Sequence, residues 1–367
     1  MQITAAVVDQ AGGDFTPQEV SLGEPAGDEV LVEVVGAGLC HTDIAVKEGH
    51  LPFPFPGVLG HEASGVVVEV GSSVTKVGKG DKVAVSFNSC GACVQCKKDA
   101  PAYCEQFMAA NFGGQRFDGS SALSRGQEQI GSNFFGQSSL ATHAIAHERN
   151  VVKVPDSAPL ELVGPLGCGV QTGAGAVMNS LDCEPGSSVL VLGGGSVGLS
   201  AVLGAAARGL RTIIVAEPMG QRRELARELG ATHVIDPAEG TLSEMVRAVA
   251  PEGVEYAVDT TAQVPVIEQA VLSLGQRGAI GLLGVPADPA AALPLSLIQT
   301  QVTGTRVVGI VEGDSDPDTF IPLLLELHAA GRFPFDKLIT KKPFSAINEA
   351  VAAQHEGEAI KIVLVHD

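Results

Sequence analysis

Residues 187–218 read SSVLVLGGGSVGLSAVLGAAARGLRTIIVAEP, which is a β-branched run, a glycine-rich turn, an apolar helix and a second β-branched run in succession. The turn holds Gly193, Gly195 and Gly198. The first glycine permits a tight turn, the second lets the backbone approach a pyrophosphate, and the third lets the helix pack on the strand, with the helix N-terminus facing the phosphates. This stretch predicts a dinucleotide-binding loop. The alternative is a turn of an α/β domain that binds no nucleotide.

A carboxylate follows at the position that selects the nucleotide. Glu217 ends the second strand, 24 residues after Gly193. There it can hydrogen-bond the adenosine ribose and would repel a 2′-phosphate, which favours NAD over NADP. Arg222 and Arg223 lie one helical turn further on and could meet a phosphate, so NADP stays open as the alternative.

The alternation of strands and helices continues from about residue 159 onward. It predicts strands at 188–192, 212–216, 233–235, 255–258 and 279–283, and helices at 196–208, 221–229, 242–249 and 266–274. Repeated strand–helix units of this kind build a doubly wound parallel sheet of the α/β class.

The first 155 residues have a different texture. Short β-branched runs are separated by Gly, Pro and Asp, at 29–35, 63–70, 82–86 and 140–146. This pattern predicts an antiparallel barrel or sandwich. The tail after about residue 309 adds predicted helices at 320–330 and 346–353 and a strand at 359–366, and by propensity it could join either part.

Composition narrows the classes of protein. A chain of 367 residues favours two domains, and 45% hydrophobic with 18% charged residues indicates a compact fold. The net charge is −19 with scattered Lys and Arg, so nucleic acid and anionic membranes are poor candidate partners. The N-terminus lacks a signal-peptide pattern and the apolar runs are too short to cross a bilayer, so we expect a cytoplasmic protein whose seven cysteines are reduced.

Four of these cysteines lie within fifteen residues: Cys90, Cys93, Cys96 and Cys104. Four thiolates at such spacing can enclose one Zn²⁺ tetrahedrally with no open position, which predicts a structural zinc site. An iron–sulfur cluster or disulfides are the alternatives.

A second ligand set is dispersed along the chain. Cys40 opens Cys-His-Thr-Asp, His61 lies in Gly-His-Glu, and Cys168 lies in Gly-Cys-Gly. Two thiolates and an imidazole suit a catalytic zinc that keeps an open fourth position, although any one of these residues alone could be core. Cys183 has no such setting and is predicted to be a packed thiol.

These motifs together resemble the zinc-dependent alcohol dehydrogenases of the medium-chain dehydrogenase/reductase superfamily, over essentially the whole chain. The resemblance rests on GLCHTD (38–43), GHEASGVV (60–67), the four-cysteine lobe, GCGVQTGAGAV (167–177), the glycine loop, and INEAV and IKIVLV near the end. Within the superfamily, the CHTD start, the segment NFGGQRFDGSSAL (111–123) and the terminal pattern look most like the aryl (benzyl) alcohol dehydrogenases.

The resemblance implies a domain arrangement. A GroES-like, mostly-β catalytic domain would comprise residues 1–169 and 309–367, with the structural zinc lobe at 90–104. A Rossmann domain that binds NAD would comprise residues 170–308. The family likeness also implies two zinc ions per chain and a homodimer or homotetramer.

The resemblance also assigns roles to single residues. Cys40, His61 and Cys168 would hold the catalytic zinc, with Glu62 as a nearby carboxylate, Asp43 orienting His61, and Thr42 accepting the alcohol proton. Cofactor contacts would come from His41 and Lys361 at the pyrophosphate, Thr172 and Val197 at the nicotinamide, the glycines of the loop, and Glu217 and Arg222 at the adenosine ribose.

The chain departs from the liver-type pattern at one point, because Ala45 stands where a proton-relay histidine is expected. His50 or ordered water could take over that step. Leu51 and Phe87 match substrate-pocket positions. Eight of the 13 Phe residues lie between 53 and 135, which suits an aryl substrate, although at least half of them are expected to fill the core.

The predicted function is the NAD(H)-dependent interconversion of primary aryl or allylic alcohols and their aldehydes. The alternatives within the superfamily are an aliphatic alcohol dehydrogenase and an S-hydroxymethylglutathione dehydrogenase. A polyol dehydrogenase is disfavoured, since that branch usually replaces the ligand at Cys168 with Glu. From a different class, a non-enzymatic binding protein could use the lobe at 90–104 but would not need Cys40, His61 and Cys168.

Overall fold

The computed structural model of the chain describes residues 1–293 and 295–366. Within these ranges the chain divides into two compact units. The first comprises residues 1–168, 316–325 and 336–366, and the second comprises residues 169–315 and 326–335.

Both units are built from short strands and helices. In chain order, the strands of the described ranges are Gln2–Val8 (β1), Thr16–Leu22 (β2), Glu29–Leu39 (β3), Gly57–Val58 (β4), Ala63–Val70 (β5), Lys82–Val85 (β6), Leu123–Arg125 (β7), Glu128–Gln129 (β8), His143–His147 (β9), Val151–Lys153 (β10), Ser188–Leu192 (β11), Thr212–Ala216 (β12), His233–Ile235 (β13), Val254–Asp259 (β14), Leu274–Leu282 (β15), Arg306–Gly309 (β16), Ile339–Pro343 (β17) and Lys361–Val365 (β18). The α-helices are His41–Lys47 (α1), Phe107–Phe112 (α2), Leu160–Val163 (α3), Gly169–Gly175 (α4), Ser196–Arg208 (α5), Gly220–Glu228 (α6), Leu242–Val249 (α7), Val264–Ser273 (α8), Leu297–Thr303 (α9), Pro317–Ala329 (α10) and Ile347–His355 (α11).

The second unit is built on one parallel sheet with the strand order β13-β12-β11-β14-β15-β16. Every residue of β11 is buried, as expected for the central strand of a sheet that is covered on both faces. The strand order reverses between β11 and β14, and ligands of such sheets bind outside the carboxyl ends of the strands at this switch point. The predicted doubly wound sheet is confirmed.

The first unit contains two β-sheets. A five-stranded sheet has the order β4-β1-β2-β7-β8, and a seven-stranded sheet has the order β10-β6-β5-β3-β18-β17 with β9 also paired to β3. Strand β18 pairs antiparallel with β3, so the end of the chain completes the sheet that the first 155 residues begin. The mostly-β part of the predicted fold class is confirmed as well.

The bounds of the units differ from the sequence prediction at residue 169 and in two longer segments, all of which lie in the second unit. Residue 309 ends β16 and residues 310–315 follow it, and this strand pairs with β15 of the parallel sheet. Residues 326–335 are attached by the guanidinium of Arg332, which donates to the Ala207 carbonyl, and this segment carries the fully buried rings of Phe333 and Phe335. Side-chain contacts of this kind leave no periodic signal in the sequence.

Among the described residues, no helix has the length and apolar character needed to span a membrane. The seven cysteines all lie in the described ranges and form no disulfide bond there. Cys183 is fully buried, and burial raises the pKa of its thiol to about 12. The prediction of a packed thiol at this position agrees with that placement.

Candidate functional site

Helix α1 brings Asp43 into contact with the segment that carries His61. Cys40 is the N-cap of this helix, and its backbone N–H donates to Asp43 Oδ2 at 2.9 Å. Asp43 Oδ1 accepts from the Gly60 backbone N–H at 3.0 Å and lies 2.9 Å from His61 Nδ1. Since Asp43 is fully buried, its carboxylate ties the first turn of the helix to the loop before β5.

The two ring nitrogens of His61 have different surroundings. Nδ1 faces the Asp43 carboxylate, whereas Nε2 is buried and has no nitrogen or oxygen partner in the ranges that the structure describes. A carboxylate on one nitrogen sets the tautomer, so that the lone pair of the other nitrogen is available to a metal. A buried imidazole nitrogen in this state fits a metal ligand.

Four side chains converge at this point. The ligand atoms of Cys40, His61, Glu62 and Cys168 all lie within 4.8 Å of one another. They come from the N-cap of α1, from the loop before β5 and from the turn before α4. Two sulfurs, an imidazole nitrogen and a carboxylate oxygen are donors that Zn²⁺ accepts, so this cluster could hold one zinc ion.

The electrostatics of the cluster favour a bound cation. The neighbouring Cys168 holds the pKa of the Cys40 thiol well below its ordinary value, although burial acts the other way. Burial also disfavours charge on His61, but the carboxylate of Asp43 and the sulfur of Cys40 outweigh it and raise the pKa of His61. The thiolate is the form of cysteine that binds a metal, so the site suits a cation even though the Lys361 ammonium already helps to lower the pKa of Cys40.

Lys361 is buried beside the same cluster. Only 3% of this residue is exposed, and Nζ donates to Glu62 Oε1 at 2.7 Å and to the Leu39 carbonyl at 3.3 Å. Burial raises the pKa of Glu62, while the Lys361 ammonium acts to lower it. The sequence prediction placed Lys361 at the cofactor pyrophosphate and did not anticipate this ion pair. The pyrophosphate contact stays a prediction.

Aromatic rings enclose His61. Phe135 stacks on the imidazole with ring centroids 4.5 Å apart, and Phe134 meets it edge-on at 5.4 Å. The backbone of Phe135 has φ +49°, in the left-handed region that a residue with a Cβ rarely adopts. The sequence pattern offered these rings as candidates for the substrate wall, and their contact with the ligand ring was missed.

Gln137 is a further supporting residue that sequence reasoning missed. Its Nε2 donates to the carbonyls of His61 and Ser86, both at 3.0 Å, and its Oε1 accepts from the Ala63 backbone N–H at 3.2 Å. The side chain is 2% exposed, so these bonds fix the backbone on both sides of His61. A lone Gln in a loop carries no sequence signal for such a role.

The four-cysteine lobe forms a second cluster. The sulfur atoms of Cys90, Cys93, Cys96 and Cys104 all lie within 4.8 Å of one another. Backbone N–H groups point at the sulfurs, from Cys93 to Cys90 Sγ at 3.3 Å and from Cys96 to Cys93 Sγ at 3.5 Å. The N–H of Cys96 lowers the pKa of Cys93 to about 6, which favours the thiolate that binds metals.

The glycine loop has the geometry that its sequence predicts. Gly193 has φ +96°, and a Cβ on Gly198 would stand 1.9 Å from the Gly193 carbonyl oxygen. Around Gly195, by contrast, no described atom lies within 4 Å of where a Cβ would stand. The loop is therefore packed on the inside and open to a ligand at its second glycine.

Glu217 lies against this loop. Its Oε2 accepts from the Gly194 backbone N–H at 2.6 Å, and its Oε1 accepts from the Met219 backbone N–H at 2.8 Å. Arg223 points inward, to the Glu217 carbonyl and to Asp236. Arg222 has a buried Nε with no hydrogen-bond partner among the described residues.

The other predicted cofactor residues lie in two places. Thr172 is in helix α4, and its hydroxyl donates to Glu312 Oε2 at 3.4 Å. Val197 is in the first turn of α5, and a Cβ on Gly173 would stand 2.0 Å from its carbonyl oxygen. His41 is the exposed first residue of α1.

The predicted substrate residues belong to the first unit. Phe87 is 3% exposed and packs in the hydrophobic core of this unit, with its ring 6.1 Å from that of Phe107. Leu51 is partly buried against the same core. The side chain of His50 is 72% exposed and lies 3.6 Å from Glu48.

Comparisons with known proteins cover the full chain. Residues 26–156 match the family described as alcohol dehydrogenase GroES-like domain, and residues 196–329 match the family described as zinc-binding dehydrogenase. A geraniol dehydrogenase of Castellaniella defragrans is 49% identical over 363 residues, covering 98% of this chain and 97% of that protein.

Two solved structures are similar in both sequence and fold. An alcohol dehydrogenase zinc-binding domain protein from Burkholderia ambifaria is 45% identical with a TM-score of 0.98, and the match covers 100% of this chain and 99% of that one. A benzyl alcohol dehydrogenase from Acinetobacter calcoaceticus is 40% identical with a TM-score of 0.97, and the match covers both chains completely. With two ligand clusters and a dinucleotide loop in place, the chain belongs to the zinc-dependent alcohol dehydrogenases of the medium-chain dehydrogenase/reductase superfamily.

Proposed function

We propose that this alcohol dehydrogenase interconverts primary aryl or allylic alcohols and their aldehydes by hydride transfer with NAD(H). The observation that carries the zinc-dependent step is the buried cluster of Cys40, His61 and Cys168, in which His61 Nε2 has no other partner among the described residues. An ordinary core would leave such a nitrogen hydrogen-bonded.

In this proposal Cys40, His61 and Cys168 hold the catalytic zinc, and Cys90, Cys93, Cys96 and Cys104 hold a structural zinc. A Zn²⁺ ion with three protein ligands supplies an open coordination position that polarises an alcohol or carbonyl oxygen. Asp43 keeps His61 Nε2 directed at the cluster through its 2.9 Å contact with Nδ1. Glu62 lies close enough to approach the metal and is held by Lys361.

Thr42 takes the alcohol proton in the proposed reaction. Its hydroxyl lies 3.8 Å from Cys40 Sγ, so it is next to the proposed ligand set. Bound NAD would present its nicotinamide ribose as the next acceptor of this proton. Ala45 cannot carry it further, so His50 or solvent completes the transfer, and the 72% exposure of the His50 side chain suits exchange with solvent.

The proposed cofactor is NAD, which supplies the hydride acceptor at its nicotinamide ring. Glu217 is 4% exposed, and the N–H groups of Gly194 and Met219 fix its carboxylate next to the loop. A fixed anion there opposes a 2′-phosphate. Arg222 provides the ribose contact, and His41 the pyrophosphate contact.

The substrate class is proposed from two supports. The relatives include proteins named geraniol dehydrogenase and benzyl alcohol dehydrogenase, and geraniol and benzyl alcohol are primary allylic and aryl alcohols. Leu51 and Phe87 line the substrate pocket in this proposal.

A reducing compartment suits both thiol clusters, so we also infer a cytoplasmic location.

The test is a screen that follows NADH or NADPH absorbance. Benzyl, cinnamyl and geranyl alcohols are expected to give kcat/KM values at least about tenfold above that of ethanol, since an apolar pocket discriminates by such a factor. The kcat/KM for NAD⁺ should be at least about tenfold above that for NADP⁺, since the Glu217 carboxylate opposes a 2′-phosphate. A preference for ethanol or for S-hydroxymethylglutathione would refute the aryl or allylic assignment. A preference for NADP⁺ would refute selection by Glu217 and would indicate that Arg222 binds the 2′-phosphate.

We also propose that the enzyme forms a homodimer or homotetramer through helix α9. Its apolar side chains point outward, with Leu297 80%, Ile298 67% and Val302 70% exposed, while Gln299 and Thr300 line the groove toward α8. Between residues 284 and 305, Asp288 is the only charged residue in a chain of net charge −19. A second copy therefore meets an apolar face and little charge repulsion there.

The double substitution Leu297→Glu/Ile298→Glu is expected to lower the mass in light scattering, from dimer to monomer or from tetramer to dimer, because it places charge on the apolar face. Leu323→Glu, at another exposed leucine, is the matched control and should leave the mass unchanged. An unchanged mass for the double variant would move the interface elsewhere. Wild-type binding to liposomes would instead assign the face to a membrane.

A further inference from the structure

The turn after strand β16 has an unusual backbone. Glu312, Gly313 and Asp314 have φ values of +49°, +67° and +49°, so three consecutive residues occupy the left-handed region. Glycine adopts this conformation without strain, whereas a residue with a Cβ pays a steric penalty there. Strain of this kind is concentrated at functional sites, where the surrounding structure holds it in place.

The strained turn is fixed against helix α4 by direct backbone contact. A Cβ on Gly313 would stand 2.5 Å from the Gln171 carbonyl oxygen, and a Cβ on Gly175 would stand 2.3 Å from the Gly313 carbonyl oxygen. Asn179 Nδ2 donates to the same Gly313 carbonyl at 3.1 Å. The packing therefore accounts for glycine at position 313 and gives no reason for a strained glutamate at position 312.

The side chain of Glu312 reaches into the same helix. Its Oε2 accepts from Gln171 Nε2 at 3.2 Å and from the Thr172 hydroxyl at 3.4 Å, and only 7% of the residue is exposed. A carboxylate strengthens such bonds, since hydrogen bonds to ionised acceptors are about twice as strong as neutral ones. One buried oxygen thus orients two neighbouring polar side chains of α4.

These two side chains lie next to the dinucleotide loop. Helix α4 touches α5 at Gly173, whose added Cβ would stand 2.0 Å from the Val197 carbonyl oxygen and 2.8 Å from Ser200 Cβ. Val197 and Ser200 belong to the first turns of α5, which begins directly after Gly195. The position of Thr172 is therefore fixed from one side by α5 and from the other side by Glu312.

We propose that Glu312 is a positioning residue for the nicotinamide cofactor, which holds Thr172 and Gln171 in the orientation that cofactor binding requires. This inference rests on the proposed function, in which Thr172 lies at the nicotinamide. The left-handed backbone is then maintained because it aims the carboxylate at α4. A glycine at position 312 would relieve the strain and lose the acceptor.

The test compares strain relief with and without loss of the carboxylate. Glu312→Gly is expected to unfold within about 3 °C of wild type. It should nevertheless weaken NADH binding about tenfold in a fluorescence titration and raise the KM for NAD⁺ by a similar factor, the size expected from a hydrogen bond to a charged group. The KM for the alcohol should stay within about twofold, because the substrate residues are elsewhere.

The matched control is Arg277→Gly. Arg277 is an exposed residue of the same unit with φ +60°, so this change relieves similar strain and should leave both NADH binding and kcat unchanged. Glu312→Gln keeps an acceptor oxygen, and it should recover most of the NADH affinity. This recovery by the conservative variant distinguishes a role in orientation from a role in stability.

The proposal is overturned if Glu312→Gly binds NADH like wild type, or if its Tm falls strongly while Glu312→Gln is also destabilised. If Glu312→Gly does not fold, a cycle of Glu312→Gln, Thr172→Val and the double variant decides the point. If Glu312 acts through Thr172, the double variant should bind NADH as tightly as the single variant of lower NADH affinity. If the losses of NADH affinity in the two single variants multiply in the double variant, the proposal is contradicted. A wild-type enzyme that binds neither NADH nor NADPH would refute the proposed function itself.

Discussion

Replacing Cys40 with alanine is expected to lower kcat/KM for alcohol oxidation by about 10³-fold while the fold is retained. A Lewis acid contributes several kcal/mol to the transition state, and each ~1.4 kcal/mol is a factor of ten in rate. The fold should survive because the backbone N–H of residue 40, which donates to Asp43 at 2.9 Å, is unchanged. Zinc analysis should give one ion per chain for the variant and two for the wild type.

Cys183→Ala is the matched control for this prediction. Cys183 is fully buried and lies outside both ligand clusters, so the variant should keep two zinc ions and wild-type activity with a small loss of stability. Circular dichroism and NADH titration verify that the Cys40→Ala enzyme is folded and binds cofactor. Unchanged turnover with Cys40→Ala would falsify the catalytic-zinc assignment, and the loss of both zinc ions would show that the two sites are not independent.

The cofactor half of the fold could be predicted from local patterns. Strand β12 and helix α5 lie at the predicted residues, because a glycine turn, an apolar helix and a short β-branched run each leave a periodic signal. Helix α1 was not anticipated. A seven-residue helix is too short to be stable alone, and this one is held by the contacts of Asp43 with Gly60 and His61, far from it in the chain.

The ligand residues of the candidate site could be predicted from the sequence, whereas the residues that contact them could be predicted less well. Cys40, His61 and Cys168 stand out by type and glycine-rich setting, and the structure brings them together. The pair of Lys361 with Glu62 spans 299 positions, and the sequence prediction placed Lys361 at the cofactor pyrophosphate without this partner. Long-range pairing of this kind follows from β18 lying beside β3, which no local pattern encodes.

The second large effect concerns the four-cysteine lobe at 90–104, where Cys104→Ala is expected to remove one zinc ion and unfold the lobe. Between its cysteines the lobe has only short 3₁₀ turns, at Cys96–Lys98 and Pro101–Tyr103, and Val94 is 55% exposed. With so little apolar burial, a bound metal would supply most of the folding free energy of the lobe. We expect Tm to fall by about 10 °C and protease cleavage to appear within the lobe.

The effects of Cys104→Ala on stability and activity should differ from those of Cys40→Ala, which distinguishes the roles of the two clusters. The glycine loop belongs to the other unit, so Cys104→Ala should still bind NADH. The activity of this variant should fall in step with its stability. Cys40→Ala should instead lose activity with little change in Tm. Wild-type protein that contains iron and absorbs near 400 nm would replace the structural zinc with an iron–sulfur cluster. A Cys104→Ala enzyme with two zinc ions, wild-type Tm and an uncut lobe would contradict a four-thiolate site, because three thiolates would then suffice where the geometry offers four.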